Sequence, residues 1–296
     1  VLKKIAIPTS PWFTRSNFSL TRAVGDTISP FSGKHRSQEY DSVYWHGTAS
    51  LPPMNRTQTV EWQSFLLELT GTRNYFLFTD PDAKAPRGGY DGNTLDSDVR
   101  VDSGSQVTSV TLSFSASTIT AGTAIFDGLI VGDFFTVSGG LNEENNGTHK
   151  ITTRTSDTVV VVDSILVTES STASCKVRQN IKGSTALSLE ASSNTATGTI
   201  LKGDYLAVYD GQTTSTNPVQ LVMATENATK TTQSGSPDHY SVAIQPKLRA
   251  DFSDGDILGF STLYNRSRFR LMQNVIEWDA NHLSMYGISF DFVEVI

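Results

Sequence analysis

The sequence is poor in the residues that build staples and metal sites. Cys175 is its single cysteine in 296 residues. That excludes an intrachain disulfide and a cysteine-rich zinc site, and Cys175 reads as a small buried apolar residue. Five histidines are present, His35, His46, His149, His239 and His282, and none stands in an HxH or HxxxH pair. No metal-ligand spacing is therefore visible, and each reads as a surface or partly buried polar group. There is no Gly-x-Ser-x-Gly elbow, no phosphate-binding glycine loop and no dinucleotide fingerprint, so no catalytic residue, metal or cofactor is expected. Basic residues are in deficit, with 23 Lys+Arg against 30 Asp+Glu and a formal charge of -7. That argues against a surface that binds nucleic acid by releasing counterions from phosphate. No apolar run is long enough to span a bilayer, and no membrane partner is expected. Five Asn-x-Ser/Thr sequons start at Asn17, Asn55, Asn146, Asn227 and Asn265. With no secretory signal peptide read, they are incidental to a Ser/Thr-rich chain, and a soluble product of a reducing cytosol is expected.

What is present is Ser, Thr, Gly and Asn, with 38% hydrophobic and 18% charged residues. Apolar residues recur throughout, which suits many short strands joined by polar turns. One stretch, "MNRTQTVEWQSFLLELTG" from Met54 to Gly71, departs from this texture. Asn55 and Gln58 form a capping box, and Trp62, Phe65, Leu66 and Leu69 make one apolar stripe. Gly71 is placed to end the helix in the left-handed conformation. "KKIAIP", "QEYDSVYWHGTASLPP" and "RNYFLFTDPD" read as strands around it.

The middle of the chain reads differently. From Gln106 to Arg178 it is Thr, Val, Ser and Gly, with strand-like runs bounded by Gly or Asn. "IVGDFFTVSGG" from Ile130 and "LKGDYLAVYDG" from Leu201 share Gly-Asp, Val and Gly at a 71-residue offset. Two related β modules would explain the match, and so would a common turn-to-strand phrase. The last stretch is aromatic again, with Ile288, Phe290 and Phe292 alternating with Ser289 and Asp291. The expected fold is mainly β. An N-terminal β-sandwich-like domain with one α-helix, residues 1–104, is completed by C-terminal strands at 264–296. Two small β-barrel modules, 105–180 and 181–263, are inserted in it. The helix stripe would cover the open face of the terminal domain.

Candidate chemistry is sparse. Asp80, Asp82, Asp91, Asp96 and Asp98 crowd one loop, but Ala83 and Lys84 break a calcium-loop spacing, so the loop reads as solvated. Glu143 and Glu144 read as a solvated hairpin tip, and no pair of carboxylates can be placed across a cleft. Trp12, Trp45, Trp62 and Trp278 read as core packing before a sugar platform.

"SLPPMNRTQTVEWQSFLLELTGTRNYFLFTDPDAKAPRGG" resembles the N-terminal signature of the distal tail proteins of long-tailed bacteriophages. Leu51 to Met54, Trp62, Phe65, Leu66, Gly71, Phe76, Asp80 and Pro81 carry the match. "KGDYLAVYD" through "VAIQPKLRADFSDGDILGF" is similar to the next part of such proteins at Pro246, Leu248, Arg249 and Gly255. "RFRLMQ…EWD…YGISFDFVEVI" resembles their ending. The segment at about 108 to 178 looks like an insertion. The resemblance implies a non-enzymatic virion protein, made in the bacterial host cytoplasm. It implies a homo-hexameric ring that continues the tail tube, docks the tip hub and fibre or receptor-binding proteins, and lets the genome pass without specific binding. Arg87 and Tyr90, in the loop after the signature, are the interface residues it suggests. The family's galectin-like C-terminal domain is replaced here by the inserted modules. A carbohydrate-binding host-recognition module, a tube terminator and a baseplate hub stay open as alternatives.

Overall fold

The structure is a computed structural model that describes residues 2–83, 86–88, 99–102, 106–191, 199–211, 218–231, 239–259, 265–280 and 285–295. In chain order the first half holds β1 (Arg15–Ile28), β2 (His35–Ser50), α1 (Arg56–Leu69), β3 (Phe76–Phe78), β4 (Val99–Val101), β5 (Gln106–Ala121), β6 (Phe134–Ser138), β7 (Gly147–Ser156) and β8 (Val159–Arg178). The second half holds β9 (Ala186–Ala191), β10 (Tyr205–Tyr209), β11 (Pro218–Ala224), β12 (Thr229–Thr231), β13 (His239–Gln245), β14 (Leu258–Gly259), β15 (Ser267–Leu271), β16 (Asp279–Ala280), β17 (Tyr286–Gly287) and β18 (Ser289–Glu294). The protein is mainly β, and α1 is the only α-helix among the described residues.

Two compact units divide the chain: Val1–Asp82 with Arg266–Ile296, and Ala83–Asn265. The terminal unit holds a five-stranded sheet in the order β1-β2-β18-β15-β3 and a two-stranded one, β16-β17. Both chain ends meet in the five-stranded sheet, with Ser289 opposite Ser50 and Phe269 opposite Phe76. The helix forms where its local signals lie. Asn55 accepts from the Gln58 N–H at 3.0 Å, and the Gln58 side chain accepts from the Asn55 N–H at 3.3 Å. Thr70 ends the helix in the left-handed conformation and Gly71 follows with φ +67°. A Cβ on Gly71 would stand 2.5 Å from Asn274 Oδ1, so both the angle and the space require glycine there.

Trp62, Phe65, Leu66 and Leu69 are buried, whereas Val60 and Leu67 face water. The stripe lies against the sheet's aromatic side chains. Phe65 meets Phe76 at 5.4 Å, Trp62 meets Phe290 at 6.2 Å, and Phe78 meets Phe292 at 4.9 Å between ring centroids. A curled sheet has one concave face to close, and α1 closes it; that is why a strand-rich chain carries one good helix. "KKIAIP" forms a single parallel bridge, Lys4 to Tyr75, in place of a strand.

The second unit contains two apolar cores. The first includes Leu112, Phe114, Phe126, Phe135 and Cys175 within the sheet β5-β8-β6-β7. The second includes Val101, Leu189, Leu206, Val222 and Tyr240 within the sheet β14-β10-β11-β13-β9-β4, with β12 on β13. The boundary expected at residue 104 moves to Asp82. β4 pairs with β9 and places Val101 in the second core, fully buried, so this strand belongs to the middle unit.

At three of its four occurrences the Gly-Asp phrase forms one defined turn; the fourth, Gly25-Asp26, lies within β1. Gly132, Gly203 and Gly255 have φ of +101°, +90° and +79°. The following aspartates, Asp133, Asp204 and Asp256, each accept through Oδ2 from the N–H three residues earlier, at 2.9, 2.9 and 2.7 Å. Each also donates its own N–H back to that same residue's carbonyl. Each glycine N–H donates to a neighbouring strand, at Ile151, Ala224 and Val101, and those residues' N–H groups return a bond to the aspartate carbonyl. The turn thus satisfies its own backbone and aligns a new strand in one step. Two of the copies lie in the second module, so the phrase marks a turn-to-strand geometry and does not by itself count modules.

Candidate interaction surface

The terminal unit carries a projecting β-ribbon. β1 and β2 pair from Arg15–Ser50 to Ile28–His35, but β18 covers β2 only from His46 to Ser50. The outer part of the ribbon therefore has two strands and no third. The register shifts between Arg22 and Val24, which sets the outer part apart from the sheet. No β1 side chain is fully buried. Val24, Ile28 and Tyr40 are about half exposed and Phe31, at the tip, is 99% exposed. Lys34, His35 and Arg36 follow, all exposed, on a chain of net charge -7. The tip is thus apolar and basic.

At the other end of β2 an open groove lies beside the start of β18. Leu51, Ile276, Trp278 and Ile288 line it, with Glu277 and Asp279. Val275 and Trp278 are exposed. This surface is mixed, with exposed Trp278 set among the polar and acidic groups of Glu277, Asp279 and Ser289.

The residues singled out from sequence divide by location. The helix stripe is inside. Trp45 is buried with it, stacked on Phe18 at 5.2 Å, and Trp12 packs on Phe13. Arg87 lies in the middle unit. Its N–H and Nε donate to Asp204 Oδ1, at 3.1 and 3.4 Å, and Nη2 donates to the Lys202 carbonyl. Its guanidinium is engaged within its own unit. Tyr90, Asp91, Asp96, Asp98 and His282 lie outside the described residues. Asp80 closes a small turn by accepting from the Asp82 N–H at 3.1 Å. The ribbon tip was missed. Its signal was an apolar pair, Ile28 and Phe31, inside a Gly/Pro/Ser turn beside three basic residues.

Glu143 and Glu144 are exposed, and their turn wraps a different carboxylate. Glu169, on β8, is buried and accepts from the N–H groups of Leu141 and Asn142 at 2.9 and 3.2 Å, from Asn145 Nδ2 at 2.9 Å, and from Thr172 Oγ1. Burial acts to raise its pKa, but the bonds from Thr172, Leu141, Asn142 and Asn145 outweigh it and bring it to about 2. His149 lies next to this turn, its Nε2 3.0 Å from the Asn145 carbonyl, and burial lowers its pKa. The arrangement is a structural brace: the donors around Glu169 come from the 141–145 turn and from Thr172 on β8, all in the same module.

Among the described residues no helix is long and apolar enough to cross a membrane. No protein-family model matches the chain, and no curated protein matches it.

Proposed function

We propose that this chain is a structural virion protein at the distal end of a phage tail, which assembles as a ring and does no catalysis. The ribbon carries this reading. A two-stranded β-ribbon is marginal in water by itself, and Phe31 at its tip is 99% exposed. A projecting apolar and basic tip suits insertion into another molecule. The groove beside β18 offers acidic Glu277 and Asp279 to a basic tip and exposed Trp278 to an apolar one. Tip and groove stand at opposite ends of β2, up to roughly 50 Å apart along a 16-residue strand. A copy therefore does not fill its own groove, and the contact runs head to tail between copies, the kind that closes into rings. The sequence resemblance to distal tail proteins supplies the setting. The ring, hexameric in that family, would continue the tail tube and pass the genome through its lumen. The inserted middle unit would face tip-hub and fibre or receptor-binding proteins.

The test is light scattering and electron microscopy of the full chain, alone and mixed with purified tail tubes. Rings, or decoration confined to tube ends, are expected. Phe31→Asp and Glu277→Lys should each abolish them while leaving the melting temperature unchanged. A chain that stays monomeric at every concentration and also ignores tube ends would overturn the proposal.

A further inference from the structure

Three side chains far apart in sequence meet on the second module. Asp102 follows β4, Glu190 lies on β9 and His239 begins β13, and these are adjacent strands in the sheet. One ligand atom from each lies within 4.8 Å of the other two, and His239 Nδ1 stands 3.2 Å from Asp102 Oδ2. Their chain neighbours Val101, Leu189 and Tyr240 are buried in the module's core. Successive strand residues face opposite sides, so the three sit together on the other face, half-buried and open to solvent on one side.

Burial first, then Asp102 and Asp254, push the Glu190 carboxyl up, while His239 pulls it down. Asp133 is also raised, chiefly by burial, with Asp102 contributing and His239 opposing. Several carboxylates therefore crowd one imidazole. Arg100 stands opposite Glu190 in the β4 register. His239 pairs with Asp102 and stands directly opposite Glu190 in the β9–β13 register, so the imidazole and both carboxylates converge on one point.

We propose that Asp102, Glu190 and His239 form a binding site for one divalent transition-metal ion of the zinc class. The donor set is one imidazole nitrogen and two carboxylates, each a ligand type that zinc takes, and three protein ligands leave a fourth position open. An imidazole among so few oxygens disfavours calcium and magnesium. Bound there, the ion ties β4, β9 and β13 together, and so fastens the segment that enters this module to its central strands. The proposal is independent of ring assembly.

The probe is Co2+ added to the full chain after chelator treatment, read by visible absorption. The expected result is a saturable ligand-field band at one equivalent, displaced by Zn2+. His239→Ala should remove the band, Glu190→Gln should weaken binding by about tenfold or more, and His35→Ala, on the distant ribbon, should leave it unchanged. Asp102→Asn, which keeps the side-chain size, serves if His239→Ala lowers the melting temperature. No saturable band in the full chain, or a band that survives both His239→Ala and Asp102→Asn, would overturn the site.

Discussion

Ser241 Oγ donates a 2.5 Å hydrogen bond to Asp133 Oδ1 across 108 residues of sequence. The bond ties the first Gly-Asp turn to β13 and so joins the two cores of the middle unit. Beside it the Thr185 N–H donates to Thr148 Oγ1 at 3.1 Å, and Lys150 pairs with Glu226 at 2.6 Å. The ion pair is exposed and contributes little. The buried carboxylate is different, because losing a donor there leaves a desolvated charge less compensated.

Ser241→Ala should therefore cost about 1–3 kcal/mol at neutral pH. Burial raises the Asp133 pKa above 3.8, so its contribution to stability is full below 3.8 and is lost as pH rises through the higher folded value. Removing the serine penalises the charged form only. The deficit should shrink below pH 3.8, a comparison that denaturant midpoints at the two pH values make directly.

Glu169 has the opposite sign. Its folded pKa of about 2 lies below the ordinary 4.5, so its contribution is full above 4.5 and disappears as pH falls toward 2. Glu169→Gln replaces one accepting oxygen with an NH2 donor facing groups that need an acceptor, and should cost about 1–3 kcal/mol near neutrality. The gap to the native protein should close in acid. A gap that stays constant between pH 4.5 and 2 would show that the brace is not ionic.

Gly47 is extended, and close approach is what holds it as glycine. A Cβ there would lie 2.0 Å from the Asn17 carbonyl oxygen and 2.8 Å from the Phe292 ring. One obstacle is backbone and cannot swing away. Gly47→Ala should lower stability by more than the ~1 kcal/mol of an ordinary glycine effect. Gly287, with open space around its Cβ and no left-handed φ, is the control for crowding.

Trp62 is fully buried, and its Nε1 has no hydrogen-bond partner among the described residues. Trp62→Ala should cost about 3–5 kcal/mol through the cavity it opens. Trp62→Phe should cost clearly less, since it keeps most of the ring contacts and removes the unpaired donor. Thermal melts of both variants separate the two terms.

Much of the terminal unit was legible because its signals are local. Asn55, Gln58 and the Trp62 stripe lie within one helix, and Phe290 and Phe292 alternate within one strand. β1 gave no such signal. None of its side chains is fully buried, and Phe18, which packs on Trp45, Phe269 and Phe292, is its main inward contact; it is a strand because β2 lies beside it. β4 was placed in the wrong unit because three residues carry no periodicity; β9 decides where it belongs.

By itself the sequence determined the class, the single helix with its cap, and the Gly-Asp turns, because each depends on backbone preferences and side chains a few residues apart. Only the tertiary structure decided that the ribbon projects with Phe31 in water, that Asp133 is buried against Ser241, and that Asp102, Glu190 and His239 share one face. Those facts depend on strand order and register, which pair residues with no fixed spacing along the chain.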